Sequence, residues 1–214
     1  MTGKGKPFTD ETLLPDELAD WPLEQPFLLH ACCGPCMAAP ARQFLEEGRS
    51  FVSLFYNPNI HPAVEHERRK EYFLKLATQL GLTALAESSS DEEPWVNWAG
   101  SREDRCRMCY SRRLDKSAAR TAELGLRAFT TTLLISPWQD QELLLACGRQ
   151  AGARHRVRFL YRDMRPLYRP GQQLAREAGL YRQRYCGCLP SIDDSRFSEQ
   201  IKEELKALQA AEPR

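Results

Sequence analysis

Residues 28 to 40 read LLHACCGPCMAAP, and Cys32, Cys33 and Cys36 place three sulfurs within five residues. CGPC is the tetrapeptide of a thioredoxin-type dithiol, but simple dithiol exchange has no use for the additional thiol of Cys32. Two further clusters follow. Cys106 and Cys109 form a CxxC in DRCRMCYSRRL, and Cys186 and Cys188 form a CxC in YRQRYCGC, where Gly187 permits a tight turn. A single CxxC would mean little; three clusters in one chain point to a thiolate-bound metal centre. Their wide separation in sequence is unlike the paired knuckles of structural zinc. Iron–sulfur is therefore favoured, and seven thiols exceed the four ligands of one cluster, leaving sulfurs for a second metal or a redox pair. The eighth cysteine, Cys147 in QELLLACGRQ, reads as a small buried hydrophobe.

A chain of 214 residues can bury one substantial core without staples. Hydrophobic residues make up 42% and charged residues 28%, and no apolar run approaches the roughly 20 residues of a membrane span, which excludes insertion in a bilayer. Residues 1 to 25 hold three prolines and no sustained periodicity, as expected of a surface extension. They also lack the charged-then-apolar order of a signal peptide, so the expected location is the reducing cytoplasm, where cysteines are thiols or metal ligands.

The elements that must position these sulfurs can be read from periodicity. FLLHA is a buried strand, followed by a helix from Cys36 to Glu47 that Gly48 ends. FVSLFY (51–56) is the second strand, and NPNIHP after it is turn chemistry. A helix over 63–80, a third apolar run LTALAE, helices over 91–99 and 106–124, and a fourth strand RAFTTTLLI (127–135) complete the pattern. Strands alternating with helices imply an α/β fold with a parallel doubly wound sheet over residues 26–190, and 191–214 read as a C-terminal helix. In such sheets ligands sit outside the carboxyl ends of the strands. Cys32 and Cys33, the loop holding Asn57, Asn59 and His61, and the loop after the fourth strand with Thr132, Ser136 and Gln139 nearby should therefore share one crevice. His30 reads as a hydrogen-bonded core histidine, His66 as a helix-face residue, and His155 as a phosphate contact. If Cys106 and Cys109 open a helix, its unpaired NH groups stabilise thiolates there.

Net charge is +1, yet ten arginines, no lysine and only Asp163 and Glu177 lie between Arg149 and Arg184. Arginine forks suit phosphates, and Phe159, Tyr161, Tyr168, Tyr181 and Tyr185 are interleaved with them. A nucleic-acid face including Arg156, Arg158 and Arg162 and a solvated, salt-bridged surface are both open readings.

Taken together, LLHACCGPC, FYNPNIHP with Glu65 and Arg68–Arg69, CRMCYSRRLDKSAARTAELG running into FTTTLLISPWQ, and YRQRYCGC resemble the QueH family of epoxyqueuosine reductases over residues 27 to 188. The resemblance implies a HUP-like fold and a tRNA-modifying oxidoreductase that removes the epoxide oxygen of epoxyqueuosine at the anticodon wobble position. It implies a 4Fe-4S cluster with an additional iron and no cobalamin. Cys32, Cys33, Cys106 and Cys109 would hold the cluster and its bridge to that iron. Cys36, an aspartate in some relatives, would bind the second metal. Cys186 and Cys188 would complete the ligation or cycle as a dithiol. Tyr110, Tyr56 or a thiol would deliver a proton, and ferredoxin or flavodoxin would supply electrons. Three rivals remain. A thioredoxin-like oxidoreductase expects tryptophan where Cys32 stands, a sulfur-inserting tRNA enzyme needs a Gly/Ser-rich phosphate cradle where ACCGPC lies, and a zinc-stabilised RNA-binding module is separable by metal content.

Overall fold

The computed structural model describes residues 14–87 and 92–210. Five parallel strands, β1 (Phe27–Ala31), β2 (Phe51–Tyr56), β3 (Ala84–Glu87), β4 (Ala128–Thr131) and β5 (Arg158–Phe159), lie in the order β3-β2-β1-β4-β5. The order reverses between β1 and β4, which creates the crevice that doubly wound folds use for ligands. Helices α1 (Gly34–Glu46), α2 (Ala63–Gln79) and α6 (Tyr168–Glu177) pack together, and α4 (Arg102–Glu123) packs on α5 (Gln141–His155). The short helices α3 (Glu93–Val96) and α7 (Pro190–Asp193) and the C-terminal α8 (Ser198–Ala210) complete the chain, α8 meeting α2 where Arg68 Nη1 donates to Glu204 at 2.7 Å. Among the described residues no helix is long and apolar enough to cross a membrane.

β1 is the centre of the molecule. Its FLLHA is buried at every position because it pairs with β2 on one side and β4 on the other, which explains the unbroken apolar run. The one polar member, His30, ties all three strands. Nε2 donates to Tyr56 O at 3.0 Å, and Nδ1 accepts from Thr131 Oγ1 at 2.8 Å. Burial lowers its pKa to about 3, with the nearby Arg113 guanidinium adding to the effect. The imidazole is therefore neutral, as those two bonds require.

Several boundaries differ from the sequence pattern. The fourth strand stops at Thr131, because that residue's Oγ1 accepts from Leu133 N at 3.1 Å and turns TLLI (132–135) into a helical turn. The helix expected over 91–99 is Glu93–Val96, residue 91 lying outside the described residues. The helix expected from Cys106 begins at Arg102, where Ser101 Oγ accepts from Asp104 N at 3.1 Å. Cys106 and Cys109 thus lie beyond the first turn, and the dipole argument for their thiolates does not apply. Of the expected extension, residues 1–13 lie outside the described residues, whereas Leu18 and Trp21 are buried in the core and Leu18 N donates to Tyr161 O at 3.3 Å. The two-residue β5 and the helix α6 both fall inside the arginine-rich stretch.

The turn from β1 into α1 is tight. A Cβ at Gly34 would lie 2.6 Å from Tyr72 O, a backbone atom of α2 that cannot give way. Gly34→Ala is expected to cost about 1–3 kcal/mol in urea unfolding and to displace the neighbouring cysteines. His30 predicts a pH dependence. Its folded pKa, about 3, lies below the ordinary 6.5, so the unfolded chain takes up a proton that the folded chain refuses. Its contribution is complete above pH 6.5 and is lost at about 1.4 kcal/mol per pH unit on acidification. Denaturant titrations between pH 7 and 4 should show this slope, and His30→Gln should lack that part of it.

Candidate active site

Cys32, Cys33 and Cys36 lie at the carboxyl end of β1 and on the first turn of α1, with their sulfurs all within 4.8 Å of one another. The Cys32 and Cys33 sulfurs are 3.9 Å apart. A thiolate-bound ion about 2.3 Å from each sulfur in a tetrahedron would space them about 3.8 Å apart, so the donor set and its spacing fit a thiophilic metal. Cys32 is held well below the ordinary thiol range. Cys33 and Cys36 donate to its sulfur, the Arg113 field and a Thr132 hydroxyl add to this, and together they outweigh burial. Cys33 and Cys36 are pushed the other way, Cys33 chiefly by burial and Cys36 chiefly by bonding to the other two sulfurs. Cys32 is therefore the first of the three to ionise. Gln183 Nε2 donates to Cys33 Sγ at 3.0 Å, and Thr132 Oγ1 donates to Cys32 Sγ at 3.3 Å while accepting from Cys32 N at 3.0 Å.

A second group of sulfurs faces the first from α4 and the CGC loop. Burial raises the Cys109 thiol to about 12, opposed by Arg113 and reinforced by the Cys186 and Cys188 sulfurs, so these three are close neighbours. Trp95 of α3, Cys109 and Cys188 form one buried cluster. Tyr110 donates to Gln139 Oε1, and Gln139 Nε2 donates to Cys186 Sγ at 3.7 Å. Burial lifts the Tyr110 phenol far above its usual range, and the Cys106, Cys186 and Cys109 sulfurs add to the shift, which keeps its proton in place.

Arg113 joins the two groups. It is 2% exposed, Nη2 donates to Asn57 Oδ1 at 2.6 Å, and Nη1 lies 3.9 Å from Cys109 Sγ. Asn57 in turn donates to Ala31 O at 3.0 Å, the residue before Cys32. The CGC loop is tied down separately. Arg69 Nε donates to Glu65 Oε1 at 2.6 Å, Nη1 to Cys186 O at 3.0 Å and Nη2 to Tyr185 O at 3.3 Å, while His61 N donates to Gly187 O at 2.9 Å. Gly187 has φ of +138°, and a Cβ there would sit 3.0 Å from Asn59 Nδ2, so only glycine fits. Arg113 Nε and Trp95 Nε1 are buried donors without a partner among the described residues, and both side chains pack at Cys109. A sulfur-rich anionic group there would supply acceptors.

The remaining expected contacts divide. Gln139 and the half-buried Ser136 lie in the loop after β4, with Gln139 reaching Cys186. Asn57 and Thr132 use their polar atoms on Arg113, Ala31 and Cys32. Asn59 is buried with Oδ1 unpartnered among the described residues, and the fully buried His61 packs against Trp95 and donates from Nε2 to Pro58 O at 2.9 Å. The structure does not bring the arginines to the sulfurs. Arg156 follows α5 and Arg158 opens β5, at the opposite end of the sheet, and Arg162 pairs with Asp16 and with Glu47 at the far end of α1. His155 Nε2 donates to Asp115 Oδ1 at 3.0 Å. Phe159 and Tyr161 are core residues, and Tyr185 is 7% exposed.

The family model described as "Epoxyqueuosine reductase QueH" matches residues 27–194. A curated protein of that name from Dehalococcoides mccartyi is 36% identical over 165 residues, covering 77% of this chain and 91% of its own. That from Haemophilus influenzae is 33% identical over 178 residues (78% and 72%), and that from Thermotoga maritima 32% over 179 residues (79% and 91%). The chain belongs to the QueH family. All three sulfur clusters fall within the matched QueH region. Sequence reading did not assign roles to Arg113 or Gln183. For Arg113 a signal existed, since it stands four residues after Cys109 and so shares its helix face; Gln183 carried none.

Arg113→Met should leave Asn57 Oδ1 unpaired and cost about 1–3 kcal/mol in urea unfolding. It should also change thiol chemistry. In metal-free protein the Cys32 thiolate persists above its depressed pKa and is lost as pH falls through it, so removing the cation should move the pH profile of Cys32 alkylation by iodoacetamide to higher pH. Peptide mass spectrometry would read this, and an unmoved profile would leave Cys33, Cys36 and the Thr132 hydroxyl as the cause.

Proposed function

We propose that this chain reduces epoxyqueuosine to queuosine at the wobble position of tRNA anticodons. The observation that supports this most is that the QueH match spans the cysteine triad, the α4 pair, the CGC loop and the residues that link them. Two electrons and two protons enter, both carbon–oxygen bonds of the epoxide break, a carbon–carbon double bond forms, and the oxygen leaves as water.

Cys32, Cys33, Cys106 and Cys109 would hold a 4Fe-4S cluster, and Cys36 an additional iron beside it. When bound, these supply electrons one at a time and a Lewis acid for the epoxide oxygen. The protein's own part is positioning and protons. Arg113 offsets the negative charge of thiolates on both sides, and Asn57 and Thr132 orient the groups that hold Cys32. Ser136 and Gln139 line the approach from β4, with Asn59 and His61 beneath the CGC loop. Tyr110, aimed by its bond to Gln139, keeps its proton until the leaving epoxide oxygen takes it, and Cys186 and Cys188 either complete the ligand set or alternate between dithiol and disulfide. The electrons would come from a small carrier such as ferredoxin or flavodoxin, in a reducing cytoplasm.

The test is anaerobic turnover of epoxyqueuosine-containing tRNA with a chemical reductant, the product nucleoside being identified by mass spectrometry alongside iron and sulfide counts. Cys32→Ser and Cys109→Ser should lose iron and activity together. Tyr110→Phe should keep its iron and lose about 100-fold or more in rate, the scale of a general acid. Iron-replete protein that leaves the epoxide intact would refute the proposal.

A further inference from the structure

The loop after β4 carries an aromatic for which the fold has no internal use. Trp138 is 61% exposed, more than any other large hydrophobic side chain among the described residues. Its ring stands against that of Tyr168, with centroids 5.1 Å apart at 79°, so the indole is held in place while most of its surface faces water. Both aromatics are anchored to the sulfurs. The residue after Trp138 is Gln139, whose amide reaches Cys186 Sγ at 3.7 Å. Tyr168 opens α6, and α6 lies on the first turn of α1: a Cβ at Gly171 would be 3.3 Å from Ala39 Cβ and 3.8 Å from Pro35 O, between Cys33 and Cys36. The pair therefore borders both sulfur groups.

The nearby acidic side chains of Asp140 and Glu177 accept from Leu143 N and Gln173 Nε2, and the arginines divide by whether a carboxylate answers them. Within the arginine-rich stretch, Arg149, Arg154, Arg162 and Arg165 are neutralised by Glu17, Asp115, Asp16 with Glu47, and Asp163. Arg169, Arg176 and Arg182 are exposed and make no ion pair among the described residues. Arg169 and Arg176 are seven residues apart on one face of α6. Arg182 precedes Gln183, which donates to Cys33 at 3.0 Å. A bare indole bordered by unneutralised guanidinium groups matches a π-face joined to phosphates, the chemistry of an unpaired nucleotide.

We infer that Trp138, backed by Tyr168 and flanked by Arg169, Arg176 and Arg182, is the platform on which a single-stranded RNA loop stacks the base next to the nucleotide being reduced. This rests on the function proposed above. It gives the enzyme a grip on the loop that is separate from the chemistry, and it relocates the RNA contact from Arg156, Arg158 and Arg162 to α6 and the loop after β4.

The test uses the anaerobic, iron-loaded protein and an anticodon stem-loop RNA carrying epoxyqueuosine, with affinity followed by fluorescence anisotropy across a salt series. Trp138→Ala should weaken binding about 5- to 150-fold, the range seen when such a platform is truncated. Trp138→Phe should restore most of it, and the salt slope should stay that of the wild type because stacking is uncharged. The combined Arg169→Ala, Arg176→Ala, Arg182→Ala variant should instead flatten the slope, by up to about 2 in log–log terms. An abasic site placed on one side of the epoxyqueuosine should weaken wild-type binding but have no further effect on Trp138→Ala, since both changes remove the same stack. Wild-type affinity in Trp138→Ala, or losses that add for abasic sites on both sides, would overturn the platform while leaving the reductase reading intact. Wild-type protein that neither binds nor reduces the RNA would overturn both.

Discussion

Arg113 is a permanent positive charge buried at 2% exposure, bonded to Asn57 on one side and lying beside Cys109 on the other. An isolated buried cation costs several kcal/mol, and here it is offset by an amide oxygen and by sulfur. That cost explains the arrangement around it. Asn57 is fixed at both ends, to Arg113 and to Ala31 O, so the cation is held in register with the strand that delivers Cys32. The same charge helps to lower Cys32 and opposes the rise of Cys109, although the two cysteines are 77 residues apart in sequence. An anionic centre assembled from thiolates needs a cation nearby, and Arg113 is a buried one that acts on sulfurs of both groups.

The topology makes the meeting possible. Parallel strands end on one side of the sheet, so the turns after β1, β2 and β4 open together where the strand order reverses. The CGC loop, which follows no strand, must be brought there by other means. The buried Glu65–Arg69 pair on α2 does this by donating to the carbonyls of Tyr185 and Cys186, and Gly187 allows the loop to press on Asn59. Tyr110 and Gln139 then join α4, the loop after β4 and Cys186 in one hydrogen-bonded line. Two buried donors without partners among the described residues, Arg113 Nε and Trp95 Nε1, belong to side chains that pack at Cys109 beside that line.

Much of this was legible in the sequence, because the first three strands and the helices between them follow hydrophobic period and glycine stops. FLLHA could be read as a buried strand from its apolar run, and the sheet order shows that it is the central one. What escaped reading depended on side-chain chemistry or on tertiary pairing. TTTLLI has strand composition, but the Thr131 hydroxyl caps the turn that ends β4. Ser101 starts α4 a full turn before its first cysteine, and β5 is two residues long within a segment dominated by charge. The arginine-rich stretch was correctly seen as unusual, yet sequence gives no partner for each guanidinium. Only the fold shows Arg162 beside Asp16 and Glu47, and Phe159 and Tyr161 inside the core.

We propose that the two sulfur groups serve one iron centre. Diffraction from anaerobic, iron-loaded crystals, with data collected on both sides of the iron absorption edge, locates iron directly against the sulfurs. Anomalous peaks should lie between the Cys32, Cys33 and Cys36 triad and the Cys106 and Cys109 pair, within bonding distance of sulfurs from both. Iron confined to one group with the other left as free thiols, or a peak at the zinc edge alone, would contradict it.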